Sequence, residues 1–177
     1  MRLTYRQKRN LTGRMNTWQQ DSAYGDKMVD KILEILEITQ YRKMEGYFKE
    51  FDVICVKGKD IVLREMKADR WMAKTGNIAI EVFNRGKPSG ISTSRADYWS
   101  IYSEELNELY DIPMKVLKDC IDRQKYSELK SCGEDSFCYL FKKDLFAEYL
   151  VLQEVSLPLL DDSNDTVPDS CCGRLRR

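Results

Sequence analysis

Two short runs rich in β-branched residues, 51–56 and 61–66, flank the connection 57–60, which contains Gly58. Short apolar runs separated by a glycine-containing turn are typical of a β-hairpin, and Gly58 suits the first central position of a type II′ turn. A two-residue turn fixes the pairing of every position in both strands, because strand register follows from turn geometry. The pattern therefore predicts two strands and also which of their side chains share a face of the sheet.

Three charged residues meet in this register. With Gly58 and Lys59 as the turn, the pairing continued outward places Asp52 directly opposite Glu65. Opposed residues have Cβ atoms about 4.5–5.5 Å apart, close enough for two carboxylates to share one metal ion. Lys67 lies two residues beyond Glu65 and so returns to the same face. Two unpaired carboxylates this close would repel each other, and a magnesium ion beside a lysine removes that conflict. The alternative is that all three are surface charges on an edge strand.

The other positions on that face of the hairpin are apolar. Ile54 and Val56 lie opposite Leu63 and Ile61 in the same register. They predict an apolar floor that would hold the charged residues rigidly at one end of the hairpin.

The segment 51–67 resembles the Asp, spacer, Glu-x-Lys signature of the PD-(D/E)XK nuclease superfamily. It is especially similar to the archaeal Holliday-junction resolvase branch, in which a Lys-Gly turn also joins the two motif strands. The resemblance extends over about residues 25–100, and Phe51 stands where the family name has proline. It implies an α/β fold with a restriction-endonuclease-like core, in which a central mixed β-sheet is flanked by α-helices.

The same resemblance implies a DNA endonuclease that depends on Mg²⁺ or Mn²⁺. Asp52 and Glu65 would be catalytic metal ligands, and the Met66 carbonyl would add a further ligand. Lys67 would position or activate the attacking water. The metal would polarise a phosphoryl oxygen and lower the pKa of bound water, so that a phosphodiester bond is hydrolysed.

Further acids are candidates for the same site. In the superfamily a helical acid often completes the metal site and joins the catalytic set, and Asp26 best matches its position. Asp30 or Glu34 could take that role instead, because both lie on the same polar stripe one or two turns on. Glu81 interrupts the apolar run 78–83, so it either faces solvent or adds a carboxylate to the site.

The amino-acid composition limits the catalytic mechanisms and partners that are possible. The chain contains no histidine, which excludes His-Asn-His nucleases, Ser-His-Asp hydrolases and histidine-based general acid catalysis. The six cysteines show no repeated pair spacing, so we interpret them as reduced intracellular thiols and not as zinc ligands. The formal net charge of +0 argues weakly against a nucleic-acid partner. Basic residues nevertheless gather in 1–20 and in the middle third, while the acids concentrate in 104–165.

A chain of 177 residues is long enough for one domain with its own core. We predict a basic N-terminal arm over 1–20, a single nuclease domain over 21–160 and a disordered tail over 161–177. Because no apolar run reaches the length of a membrane span and no secretory signal begins the chain, we expect no membrane partner. The expected location is the cytoplasm or nucleus, of a host cell if the protein is viral, and not outside the cell.

Periodicity and breaker residues outline the other elements. They predict a helix over 25–38, a strand over 78–83, a loop over 86–94, a helix beginning near Arg95, a strand over 114–117 and a helix or strand over 137–152.

The loop 86–94 offers backbone amides and hydroxyls beside the predicted helix start, a suitable place for a DNA phosphate. Its alternative is a plain surface connection. The candidate DNA-binding residues are Lys87, Ser89, Ser92, Ser94, Arg95, Arg70 and Lys74. Tyr98, Trp99 and Tyr102 follow the loop, and for these aromatic residues we favour core packing over base stacking. Trp71 is open to the same two interpretations.

The leading function is an endonuclease that cuts branched or otherwise structured DNA in recombination, repair or viral replication, a preference that rests on the resemblance alone. A sequence-specific restriction-like or homing endonuclease is the enzymatic alternative, although no recognition helix is recognisable. A non-catalytic nucleic-acid-binding or host-interaction protein on the same fold is a third possibility. A homodimer would suit either enzyme, because cutting two strands symmetrically needs two sites.

Overall fold

A computed structural model of the chain describes residues 17–44, 48, 50–133 and 135–152. Its elements in chain order are α1 (Thr17–Ile35), β1 (Tyr41–Lys43), β2 (Val53–Lys57), β3 (Asp60–Ala68), α2 (Met72–Thr75), β4 (Asn77–Asn84), β5 (Lys87–Pro88), a 3₁₀ turn (Gly90–Ser92), β6 (Tyr98–Ser103), β7 (Glu108–Pro113), α3 (Met114–Asp122), β8 (Glu128–Gly133), β9 (Ser136–Lys142), a second 3₁₀ segment (Lys143–Tyr149) and β10 (Leu150–Leu152). Residues 17–20 of the predicted arm are therefore helical, and the predicted tail over 161–177 lies outside the described residues.

The described strands form two sheets. The larger has the order β1-β2-β3-β6-β7-β10, with β3 parallel to β6 and the other neighbours antiparallel. The predicted α/β class with a central mixed sheet is thus confirmed. The smaller, antiparallel sheet has the order β5-β4-β9-β8 and was not predicted. Parallel neighbours need a crossover connection, and here the crossover between β3 and β6 carries α2, β4 and β5.

The predicted hairpin is confirmed in its register. Strand β2 pairs with β3 from Val53 opposite Arg64 to Lys57 opposite Asp60. Gly58 has φ of 66°, the positive angle that the first central position of a type II′ turn requires and that glycine adopts without strain. Because β3 lies between β2 and β6, it is an inner strand and not an edge strand.

Helix α1 covers one face of the larger sheet. Its buried stripe and the sheet residues beneath it form a cluster of Met28, Ile32, Leu33, Val53, Cys55, Met66, Tyr102 and Leu109. The helix predicted over 25–38 is present, but it begins at Thr17 and ends at Ile35. It stops there because Glu37 takes a left-handed φ of 55°, and the Ile38 amide then donates to the Leu33 carbonyl. Neither α1 nor any other helix in the described ranges is long and apolar enough to cross a membrane.

Two predicted elements are wrong. Strand β6 follows shortly after Arg95, where a helix was expected, and its residues 99–103 are all buried. A strand buried on both faces loses the alternating pattern by which strands are recognised. Helix α3 occupies the predicted strand 114–117, because Met114, Leu117 and Cys120 form one buried stripe.

Two of the three aromatic residues of β6, Trp99 and Tyr102, pack in the core as expected, whereas Tyr98 is half-buried. Trp99 is 1% exposed and Tyr102 is 3% exposed. They lie on opposite faces of the sheet, with Trp99 in the cluster shared with the second sheet and Tyr102 in the cluster under α1. The segment 137–152 contains most of β9, the second 3₁₀ segment and β10, so its strand interpretation is the better one.

Candidate active site

The Asp52 carboxylate is fixed where the hairpin ladder ends. The Asp52 amide donates to the Arg64 carbonyl at 2.9 Å. Its Oδ2 atom accepts a hydrogen bond from the Met66 amide at 2.8 Å. The Asp52 side chain therefore takes the place of a strand partner for the Met66 amide, which lies beyond the last β2–β3 pair, Val53 with Arg64. This hydrogen bond restricts the orientation of the carboxylate.

Lys67 joins the two carboxylates, as the register predicted. Its Nζ atom lies 3.1 Å from Asp52 Oδ2 and 2.8 Å from Glu65 Oε1. The three side chains thus meet on one face of the sheet. Burial by itself would lower the pKa of the Lys67 ammonium, but the charges of Asp52 and Glu65 outweigh it, so the pKa of Lys67 is raised. Lys67 therefore stays protonated.

Glu65 is the buried member of this group. Its side chain is 7% exposed, and the Ser94 hydroxyl lies 3.3 Å from its Oε2 atom. Burial raises the pKa of Glu65, because a carboxylate removed from water loses solvation, and the neighbouring Lys67 ammonium offsets part of that rise. A buried anion of this kind is stabilised by an additional cation.

Asp52 and Lys67 open onto a cleft of about 800 Å³, lined by α1, both sheets and the segment 69–71, and Glu65 contacts Lys67 without lining it. Asp52 and Lys67 line it from the larger sheet, Glu81 from the second sheet and Asp26 from α1. The cleft is large enough to admit a segment of a polymeric ligand beside the charged group.

The donor set fits a hard divalent cation. Two carboxylates face one ammonium, so the group of Asp52, Glu65 and Lys67 carries an excess negative charge. The Met66 thioether is a soft ligand that a hard cation does not favour, so Met66 could contribute only its backbone carbonyl. Within the described part of the chain, no three acids or cysteines lie close enough to hold an ion by themselves. Asp26 therefore does not complete a three-acid set with the other two. Mg²⁺ commonly binds to one or two carboxylates and takes its other ligands from water and phosphate.

The other candidate acids have partners of their own. Asp30 forms an ion pair with Lys43 of β1 and does not line the cleft. Glu81 lines the cleft, where it accepts hydrogen bonds from the Ser89 hydroxyl at 2.6 Å and from the Asn84 side chain at 3.3 Å. Glu81 is thus a cleft residue on the opposite wall.

The loop 86–94 uses most of its polar groups internally. The Ser92 hydroxyl donates to the Val82 carbonyl, and the Ser94 amide donates to the Gly90 carbonyl. Ser94 is 5% exposed and contacts Glu65, so it acts on the site carboxylate and does not present its hydroxyl to solvent. The predicted cradle of hydroxyls beside a helix start is absent here, because Arg95 begins no helix.

The basic residues predicted to bind DNA divide into two groups. Lys87 and Arg95 are exposed and do not line the cleft, and the Arg95 side chain lies 3.6 Å from Glu50. Arg70 and Lys74 instead lie beside the cleft. The Arg70 guanidinium stacks on Tyr24, 3.8 Å from the ring centroid.

The apolar floor differs from its prediction. Val56 is 41% exposed and Ile61 is 68% exposed, so the turn end of the hairpin projects into solvent. Ile54 and Leu63, nearer the charged group, are half-buried. The rigidity of the site therefore comes from the inner position of β3 and from the hydrogen bonds of Asp52, and less from the hairpin's own apolar face.

No protein-family model matches the chain, and no curated protein matches it significantly. Among solved structures, the bacterial homing endonuclease I-Ssp6803I is similar with a TM-score of 0.41 and 17% sequence identity, over 58% of this chain and 72% of that chain. A similarity this low says nothing about function, which has to be argued from the site.

Proposed function

We propose that the chain is a divalent-metal-dependent nuclease of the PD-(D/E)XK superfamily that hydrolyses phosphodiester bonds in DNA. The observation that carries the proposal is the contact of one ammonium, Lys67 Nζ, with the carboxylates of Asp52 and Glu65 at an open cleft. A binding module gains nothing from two carboxylates beside a phosphate, since they repel it. An excess negative charge held on rigid strands is what a metal-dependent hydrolase needs.

When bound, Mg²⁺ or Mn²⁺ would polarise a phosphoryl oxygen and acidify a water molecule. Asp52 and Glu65 would hold the ion, with Met66 contributing its carbonyl. The Ser94 hydroxyl, which lies 3.1 Å from the Glu50 carbonyl and 3.3 Å from Glu65 Oε2, would help to position Glu65. Without metal, the charges of both carboxylates raise the pKa of Lys67. Its ammonium would position the attacking water or donate a hydrogen bond to the phosphoryl oxygen, and so stabilise the developing negative charge.

The finer proposal is that branched or structured DNA is the preferred substrate. It is supported by the resemblance of 51–67 to the resolvase branch. The homodimer remains a prediction, to be tested by sedimentation of the purified protein.

The test of the activity is cleavage of labelled four-way junction, flap, duplex and single-stranded DNA in Mg²⁺, in Mn²⁺ and in EDTA. We expect cutting only with metal, strongest on the branched substrates, and no cutting by Glu65→Ala. Asp60→Asn is the matched control, because Asp60 is an exposed acid of the same hairpin that lies outside the cleft. If the wild type cuts no DNA with either metal, the enzyme proposal is wrong, and the non-catalytic alternative is favoured. If duplex is cut best, the branched-DNA proposal is wrong.

Metal binding can be tested without cleavage. Thermal melts of the wild type should shift upward with increasing Mg²⁺, because a ligand that binds the folded state stabilises it. Asp52→Asn should abolish the shift, and Asp60→Asn should preserve it. An equal shift in Asp52→Asn would show that the ion binds elsewhere.

A further inference from the structure

Trp71 is exposed at the edge of the cleft. Its side chain is 67% exposed, whereas Trp99 in the same cleft is 1% exposed. The exposed ring lies in the cleft that Asp52 and Lys67 also line, so a ligand bound in that cleft can contact it. Core packing, one of the two interpretations that the sequence left open, is thus excluded for this residue.

The backbone that carries this ring is held firmly. The buried Asp69 carboxylate accepts hydrogen bonds from the Trp71 amide at 2.7 Å and from the Met72 amide at 2.9 Å. The Thr75 hydroxyl donates to the Trp71 carbonyl at 2.9 Å. The Gly76 amide then closes the short helix α2 onto the Met72 carbonyl. A ring on so fixed a backbone loses little conformational entropy when a ligand stacks on it.

Two basic residues, Lys74 and Arg70, lie near the ring, among the acids Asp69, Glu104 and Glu105. The Lys74 ammonium lies 5.4 Å from the centroid of the Trp71 ring. Arg70 precedes Trp71 and lines both the main cleft and a smaller adjoining cavity of about 380 Å³ that Lys74 also lines. Trp71 itself lines the main cleft together with Asp52 and Lys67. An aromatic face flanked by cations is the combination that binds single-stranded nucleic acid, because the ring stacks on a base and the cations meet the phosphates.

We infer that Trp71 is a stacking platform for an unpaired nucleobase of the DNA substrate, with Arg70 and Lys74 contacting the adjacent phosphates. The inference rests on the proposed function and deepens it, since it names DNA with an unpaired base near the cleavage point as the substrate class. Within a duplex both faces of each base are covered by neighbouring bases, so a single protein ring can stack only on a base that has left the stack.

The experiment measures binding in Ca²⁺ or in EDTA, so that no cleavage is required. Wild type, Trp71→Ala, Trp71→Phe and Phe83→Ala are titrated with matched DNAs that carry 2-aminopurine either unpaired at a junction or inside a continuous duplex. Phe83 is the matched control, because it is 39% exposed and does not line the cleft. Stacking on Trp71 should quench the unpaired 2-aminopurine. Trp71→Ala should remove the quenching and weaken binding of that DNA about tenfold. Trp71→Phe should retain most of both, and duplex affinity should be unchanged in every variant.

The outcomes separate this inference from the proposed function. If wild type cuts DNA but Trp71→Ala binds and quenches like wild type, the stacking inference alone is wrong. If Trp71→Ala weakens duplex and unpaired DNA equally, the ring is a general contact and the inference is also wrong. If the quenching depends on Trp71 but no metal supports cutting, the inference holds for binding and the nuclease proposal fails. A change in oligomeric state with no change in DNA affinity would make Trp71 a protein-contact residue and overturn the inference.

Discussion

Strand β3 carries a charged cluster on each of its two faces. Toward α1, Arg64 donates to Ser100 at 3.0 Å and to Asp111, and it stacks on Tyr98. On the opposite face, Glu65 and Lys67 meet Asp52. Arg64 and Glu65 are neighbours in sequence, and the period of two sends their side chains to opposite sides.

The two clusters differ in how their charge is balanced. In the first, one cation meets one anion, and the Arg64 and Asp111 side chains are only 11% and 15% exposed. In the second, two anions meet one cation, and Lys67 is 40% exposed. The charges of the first cluster balance within the protein, although the buried Arg64 Nε atom has no hydrogen-bond partner, whereas the second has charge and room for a further cation and for a ligand. Buried charge alone therefore does not identify a site; unbalanced charge at an opening does.

We call the first cluster, around Arg64, the closed cluster and the second, around Lys67, the open cluster. The largest expected effect is that of a substitution in the closed cluster. Arg64→Met should lower the free energy of unfolding by about 3–5 kcal/mol, because it leaves Asp111 buried without its cation. Chemical denaturation measures the change. The double variant Arg64→Met with Asp111→Leu should recover most of it, while cleavage per folded molecule stays near that of the wild type. A selective loss of cleavage in that double variant would mean that the two faces of β3 are not independent.

Next in size is the effect of removing the ammonium from the open cluster. Lys67→Met should lower the cleavage rate at least about 100-fold, as loss of one group that stabilises transition-state charge commonly does. Its DNA affinity in Ca²⁺ should change little, since Arg70 and Lys74 remain. Single-turnover cleavage and a binding titration measure the two effects. Normal turnover by this variant would remove Lys67 from the mechanism and make the open cluster as structural as the closed one.

A smaller effect concerns stability and pH. Burial raises the pKa of Glu65, so its contribution to stability is full below the pKa of the unfolded chain and declines as pH rises through the folded value. Glu65→Gln, which cannot ionise, should therefore melt a few degrees higher than wild type at pH 8 without metal, and the difference should shrink toward pH 4. Glu34→Gln on α1 is the control, because Glu34 is exposed. A gain independent of pH would assign the effect to packing and not to charge.

The smallest effect is expected for the ion pair of Asp30 with Lys43. Both side chains are more than a third exposed, and exposed pairs typically contribute less than about 1 kcal/mol. Asp30→Asn should change unfolding by no more than that and should leave cleavage unchanged. A large loss of cleavage would instead make Asp30 the helical acid of the site and extend the open cluster to α1.

The parts predicted correctly are those that local rules determine. Gly58 fixes the turn, the turn fixes the register, and the register brings Asp52, Glu65 and Lys67 together. No long-range information is needed for this step. The same locality explains why the hairpin was accessible to sequence reasoning, whereas the α/β class was implied by the resemblance of 51–67 to a known family.

The parts that were missed depend on distant segments. Arg64 meets Asp111 only because β7 pairs with β6 beside β3, and no spacing in the sequence indicates that contact. Ser94 was assigned to DNA because its neighbours suggested a helix start, whereas the path of the crossover turns it toward Glu65. The exposure of Trp71 likewise depends on the turn that Asp69 holds, and the sequence pattern gives no measure of exposure.

The crossover between β3 and β6 has a consequence for the order of folding. The hairpin can form from local contacts. Pairing of β6 with β3 instead requires the chain to close a loop over residues 69–97, and contacts of that sequence separation form slowly. Ser94 lies in the same crossover. We therefore expect Glu65 to be exposed to water in a partly folded chain, before the residues that bury it have packed. Pulse-labelled hydrogen exchange would detect this as early protection of β2 and β3 amides and later protection of β6. Simultaneous protection would mean that the hairpin and the surroundings of Glu65 form in one step.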